Sequence, residues 1–151
     1  MTVRLLFTDE ANIAQRWIGF FTRSWASHVD AFMPNGHLLG ARPVGGVAMR
    51  GPHYHNFTKL LQVDLPCDSA TAERFYGFLE AQVCKPYDWR GILSFWFRRD
   101  WQEDDSWTCA ELITAALIDS GYFSHRLYVT NSKISPADLL MLLSTRVNIG
   151  G

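Results

Sequence analysis

The sequence predicts an α+β fold, a small antiparallel sheet packed against helices. Three observations predict it. Two strand-like runs flank Pro34-Asn35-Gly36, a strong hairpin signal. The stretch from Asp104 to Gly121 carries a complete helix grammar, with start, apolar stripe and stop. The chain also lacks internal repeats, low-complexity tracts and linker-like segments, so one domain over residues 1–151 is expected.

In chain order, Val3 to Phe7 is a short apolar run that reads as a strand. Thr8 or Asp9 then caps a helix over roughly Ala11 to Arg23, with Ile13, Trp17, Phe20 and Phe21 on one stripe. Ser27 to Met33 is the next strand, and after the hairpin turn His37 to Arg42 returns beside it. Gly45-Gly46 marks a bend before a short strand over Val47 to Arg50. Lys59 to Leu65 is a further strand, closed by Pro66. Asp68 or Ser69 caps a second helix, whose stripe is Ala72, Phe75, Tyr76, Leu79 and Val83 and which Lys85-Pro86 ends. An aromatic stretch, Tyr87 to Trp107, precedes the third helix. Leu127 to Thr130 reads as a last strand, and Ser135-Pro136 opens a C-terminal helix through Leu143.

Composition bounds the function. Apolar residues at 48% and charged residues at 19% suit a globular core. A formal net charge of -1 gives no electrostatic case for nucleic acid. Three cysteines, Cys67, Cys84 and Cys109, are few and odd in number, which argues against a disulfide framework. No signal-peptide pattern and no bilayer-spanning apolar run is read, so a cytoplasmic protein without an integral membrane segment is the default expectation.

Cys109 is the residue with the most chemical content. Thr108 and Glu111 form a T-x-x-E capping box, and Trp107 and Leu112 are placed as a hydrophobic staple. Leu112, Ile113, Ala116 and Leu117 recur at helical spacing, and Gly121 is a natural stop. Cys109 therefore opens a buried helix, where unpaired N–H groups and the helix dipole favour a thiolate. The bland alternative is a small buried hydrophobe. His28 opens a strand before the hairpin, and an imidazole near such a cysteine takes the thiol proton and returns it to a leaving group. With 81 positions between His28 and Cys109, spacing alone favours a hydrogen-bonded structural histidine.

Four motifs in order add to this: W-x-S-H-V-D (Trp25 to Asp30), G-A-R-P-x-G-G-V (Gly40 to Val47), Y-D-W-x-G-I (Tyr87 to Ile92) and W-T-C-A-E-L (Trp107 to Leu112). Together they resemble the circularly permuted papain-like hydrolases, the YiiX/YaeF/YebB-type relatives of NlpC cell-wall peptidases and, more distantly, of lecithin retinol acyltransferase. The resemblance covers about Val3 to Gly121 and implies a permuted papain-like fold, with Cys109 as nucleophile and His28 as base. Ala110 stands where serine is usual in that group. Relatives also carry a polar orienting residue on the strand after the histidine, where this chain has Gly40 followed by Ala41. A glycine has no side chain with which to orient an imidazole. Asp30 is the nearest substitute, because residues two apart on a strand share a face. His37 and a backbone carbonyl are the other candidates.

Other features have simpler readings. His37, His53 and His55 lack a carboxylate or cysteine at ligand spacing, so no metal and no cofactor is expected. Cys67 and Cys84 flank a helix too long for them to bridge across it. The segment Phe95 to Trp101 holds four aromatics with Arg98 and Arg99, which fits a loop filling the core edge or a wall over the cysteine.

The expected function is a cysteine hydrolase, amidase- or peptidase-like, forming an acyl-enzyme on Cys109. Its expected partner is a small peptide, amide or acyl substrate, such as a peptidoglycan-type amide. The alternatives are a lipid acyl hydrolase or acyltransferase of the same fold, and a non-catalytic binding or assembly protein, for example phage-encoded.

Overall fold

A computed structural model describes residues 1–9, 25–88, 107–123 and 134–145. They form an α+β structure of five antiparallel strands and three helices: β1 (Thr2–Asp9), β2 (His28–Phe32), β3 (Leu38–Arg42), β4 (Gly46–Arg50), β5 (Lys59–Pro66), α1 (Ser69–Ala81), α2 (Cys109–Asp119) and α3 (Pro136–Ser144). The helix expected over 11–23, the aromatic segment 95–101 and the strand expected over 127–130 lie outside the described residues.

The sheet order is β4-β3-β2-β1-β5. β1 is an inner strand, paired with β2 on one side and β5 on the other, and Leu5, Leu6 and Phe7 are all buried. A strand covered on both faces reads as a continuous apolar run, which is what this segment shows. The strand continues through Thr8 and Asp9, which pair with Leu60 and Lys59. The β2–β3 hairpin turns on Gly36 at φ 82, where the absence of a Cβ removes the steric cost of left-handed backbone. Met33 and His37 close the turn, the Met33 N–H donating to the His37 carbonyl at 2.8 Å.

The helices start where side-chain caps serve their free N–H groups. Asp68, not Ser69, caps α1, its carboxylate accepting from the Thr71 N–H at 2.6 Å. Thr108 caps α2 and Ser135 caps α3, both with the reciprocal half of a capping box present. The core joins Phe75 and Leu79 of α1 to Leu112, Ile113, Ala116 and Leu117 of α2, Leu139 and Leu143 of α3, and the inward side chains of the sheet. α2 packs across β2 and β3 and against α1.

The end of α1 differs from expectation by several residues. α1 ends at Ala81, with Gln82 as C-cap, so Val83 lies outside it and Lys85-Pro86 does not end it. The cause is a competing set of backbone bonds. The Cys84 N–H donates to the Val47 carbonyl and the Val47 N–H to the Lys85 carbonyl, both at 2.9 Å. Cys84 adopts φ 74 to make that turn. The chain leaves the helix to pair with β4.

Candidate active site

α2 packs across β2 and β3, and the residue that opens it acts electrostatically on His28 of β2. Cys109 is that residue, and it is buried. Its place is fixed by the capping box: the Glu111 N–H donates to Thr108 Oγ1 at 3.3 Å, and the Thr108 N–H donates to Glu111 Oε2 at 3.4 Å. Trp107 anchors the approach from outside the helix. Its indole N–H donates to Gln82 Oε1 at 3.1 Å, and its ring meets Phe78 edge-on at 6.1 Å.

His28 opens β2 and is fully buried, as is Asp30 two residues on. The shared strand face brings the two side chains together. His28 Nε2–H donates to Asp30 Oδ1 at 2.8 Å. Among the described residues Nδ1 makes no hydrogen bond. The Cys109 thiol lies close enough to the ring to act on its proton affinity. Burial pulls the His28 pKa down, but the charges of Asp30 and Cys109, with the Asp30 hydrogen bond, outweigh it and raise it to about 10. Since Nε2 is held by Asp30, Nδ1 is the nitrogen available to sulfur. His28 thus carries its proton at neutral pH.

The carboxylate of Asp30 is used at both oxygens. Oδ2 accepts from the Tyr54 hydroxyl at 2.8 Å and from Arg42 Nη2 at 3.5 Å. Burial alone would raise the Asp30 pKa; His28, its hydrogen bond, and then Arg42 and Arg50 reverse that and hold it below the ordinary carboxylate value. Buried charges persist when paired and hydrogen-bonded, and each member of this set is.

Gly40 has a direct physical reason in this arrangement. It lies on β3 next to β2, and a Cβ built there would overlap Asp30 Oδ1 and sit 3.1 Å from Asp30 Cγ and 3.3 Å from the Val29 carbonyl. The space that a side chain at position 40 would fill is occupied by the Asp30 carboxylate. His37, the other side-chain candidate for orienting His28, is exposed in the hairpin turn, its N–H bonded to Asn35 Oδ1. Asp30 is the residue in contact with the ring.

The structure therefore brings Cys109, His28 and Asp30 together and adds two residues the spacing does not mark. Tyr54 sits on the loop between β4 and β5, and no period or motif connects it to β2. Arg42 lies in the G-A-R-P motif, and its separation of twelve residues from Asp30 carries no contact information without the hairpin register. Glu111 is a third ionisable group near the cysteine. Its burial, reinforced by the negative charge of Asp88 and opposed by the Thr108 hydrogen bonds, raises its pKa to about 7. His53 and His55 are exposed, and no group of three or more metal-ligating side chains occurs among the described residues. Cys67 and Cys84 are free thiols, as is Cys109. No described helix is long and apolar enough to cross a membrane.

The chain matches no protein-family model, and no curated protein is significantly similar to it.

Proposed function

We propose that this chain is a cysteine hydrolase of the permuted papain-like type, acting on an amide or peptide bond through an acyl-enzyme. The observation that carries the reading is the His28 imidazole, held at Nε2 by the Asp30 carboxylate with Nδ1 left for the thiol at the start of α2. In the reaction, Cys109 Sγ attacks the carbonyl carbon and the carbonyl electron pair moves to oxygen. The Cys109 backbone N–H, at the start of α2 where no helical carbonyl precedes it, would stabilise that oxyanion. As the C–N bond breaks, His28 Nδ1–H protonates the leaving amine. Water then attacks the thioester, His28 accepts its proton, and the acid departs as the thiolate is restored beside the imidazolium. Asp30 touches no reacting atom in this scheme and acts by fixing the ring.

The substrate classes this chemistry admits are small peptides and amino-acyl amides, peptidoglycan stem peptides among them, and acyl esters by the same steps. Deep burial of all three side chains favours a second reading, a binding or assembly protein that keeps the triad as a structural polar cluster. Thiol reactivity separates the two. Iodoacetamide labelling of Cys109, followed by peptide mass spectrometry, is expected to proceed well below the free-thiol pKa of about 8.5 and to slow in His28→Ala. Labelling no faster than at Cys67 or Cys84, and indifferent to His28, would eliminate the hydrolase.

A further inference from the structure

Tyr54 is not part of the Cys109–His28–Asp30 line, yet it is held as firmly as the residues that are. Its loop turns tightly, the Tyr54 N–H donating to the Gly51 carbonyl at 3.1 Å. Its ring lies under the Arg42 guanidinium at 4.5 Å, with that of Arg50 at 5.8 Å, and meets Phe57 edge-on at 5.7 Å. Arg50 is in turn tied to the β3–β4 hairpin. Its Nη1 donates to the carbonyls of Gly40 and Ala48 at 3.0 and 3.2 Å, and its Nη2 to those of Gly46 and Val44 at 3.0 and 3.4 Å. The ring is thus referenced to the backbone of β3 and β4, and its hydroxyl reaches Asp30 Oδ2.

Asp30 needs such a reference. With Gly40 beside it, no side chain on β3 walls in the carboxylate at that position, and a carboxylate free to rotate about χ2 would swing Oδ1 away from His28 Nε2. A donor on Oδ2 blocks that rotation. Arg42 shares Oδ2 but at 3.5 Å, which leaves the 2.8 Å hydroxyl as the directional contact. We propose that Tyr54 is a positioning residue for the His28–Asp30 pair, locking the Asp30 carboxylate so that the imidazole presents Nδ1 to Cys109. Its effect on sulfur chemistry rests on the hydrolase reading; its effect on the ring rests on the geometry alone.

Tyr54→Phe removes the hydroxyl and keeps the ring on which the arginines stack. Two quantities report the result: solvent exchange of the His28 Nε2 proton by NMR, and iodoacetamide labelling of Cys109 at pH 7. Tyr54→Phe should speed the exchange and slow the labelling, each by roughly tenfold, the scale of one hydrogen bond to a charged group. In an Asp30→Ala background the same change should move either quantity less than about twofold, since a residue acting through Asp30 has nothing left to act through. Unchanged exchange in Tyr54→Phe, or an equal effect in both backgrounds, overturns the proposal. Should His28→Ala leave labelling unaltered while Tyr54→Phe still speeds exchange, the hydrolase reading falls and the positioning role stands. If His28→Ala slows labelling and Tyr54→Phe moves neither quantity, the outcome is the reverse.

Discussion

Gly40→Ala tests the site at its tightest point. The new methyl would occupy the position of Asp30 Oδ1 and press on Asp30 Cγ and the Val29 carbonyl, at 3.1 and 3.3 Å. Two opposing effects decide the outcome. Alanine restricts the unfolded chain more than glycine does, which stabilises by about 0.4–1 kcal/mol where the native backbone accepts it. Against that, overpacking costs about 1–3 kcal/mol, and displacing the carboxylate forfeits a charge-assisted hydrogen bond of about 1.5–3 kcal/mol. The penalty wins, for a net loss of about 1.5–5.5 kcal/mol. At roughly 2–4 °C per kcal/mol for a chain of this size, the melting temperature should fall by about 3–20 °C in thermal circular dichroism. In Asp30→Ala, where the carboxylate is absent, the same methyl should cost less than about 1 kcal/mol, so the double-mutant cycle isolates the contact. A Gly40→Ala protein as stable as the parent, with His28 Nε2–H exchange unchanged, would refute the claim that Gly40 exists to admit Asp30.

Other outcomes follow from the same site. The His28 pKa in the folded protein lies above its ordinary 6.5, so its pairing stabilises fully below 6.5 and is lost as pH rises toward about 10. That of Asp30 lies below its ordinary 3.8, so its contribution is present above 3.8 and fades as pH falls further. Urea midpoints should accordingly decline on both sides in the native protein, with the alkaline decline reduced in His28→Gln. Glu111 is raised from 4.5 to about 7, so its ionisation costs stability as pH climbs across that interval. Glu111→Gln keeps an oxygen for the Thr108 N–H and should remove that limb, a gain at pH 8 of at most about 3 kcal/mol by denaturant titration. Thr108→Ala should cost about 1 kcal/mol and slow Cys109 labelling, and Thr108→Ser should restore both. Moving the carboxylate across the hairpin, in Asp30→Ala/Gly40→Glu, should recover part of the labelling rate that Asp30→Ala loses.

Local rules made much of this legible. Caps at Thr108 and Ser135, the turn at Gly36 and the apolar run of β1 follow from contacts within a few residues, and each stands where its pattern places it. Asp30 was reachable too, because period two along a strand is a geometric certainty once β2 is assigned. What spacing does not encode is register between distant segments. The early end of α1 depends on Cys84 meeting Val47, and Tyr54 reaches Asp30 only because the β4–β5 loop folds back over the hairpin. The absence of a side chain at position 40 reads in the sequence as a missing group. In space it is room already taken.

The turn at Cys84 also bears on how the protein avoids its own copies. Among the described residues β4 is the last strand on its side of the sheet, and an uncovered strand of that kind invites pairing with another chain. Here the Val47 N–H and carbonyl are both engaged by residues 84 and 85 of the same molecule. Gly46, at φ 59, admits the Lys85 carbonyl so closely that any side chain would block it. At the opposite margin β5 begins with Lys59 and finishes with Pro66, a charge and a residue without an N–H, both poor templates for an incoming strand. Substituting Gly46 would thus do more than loosen a turn: it would unseal one margin of the sheet and favour aggregation.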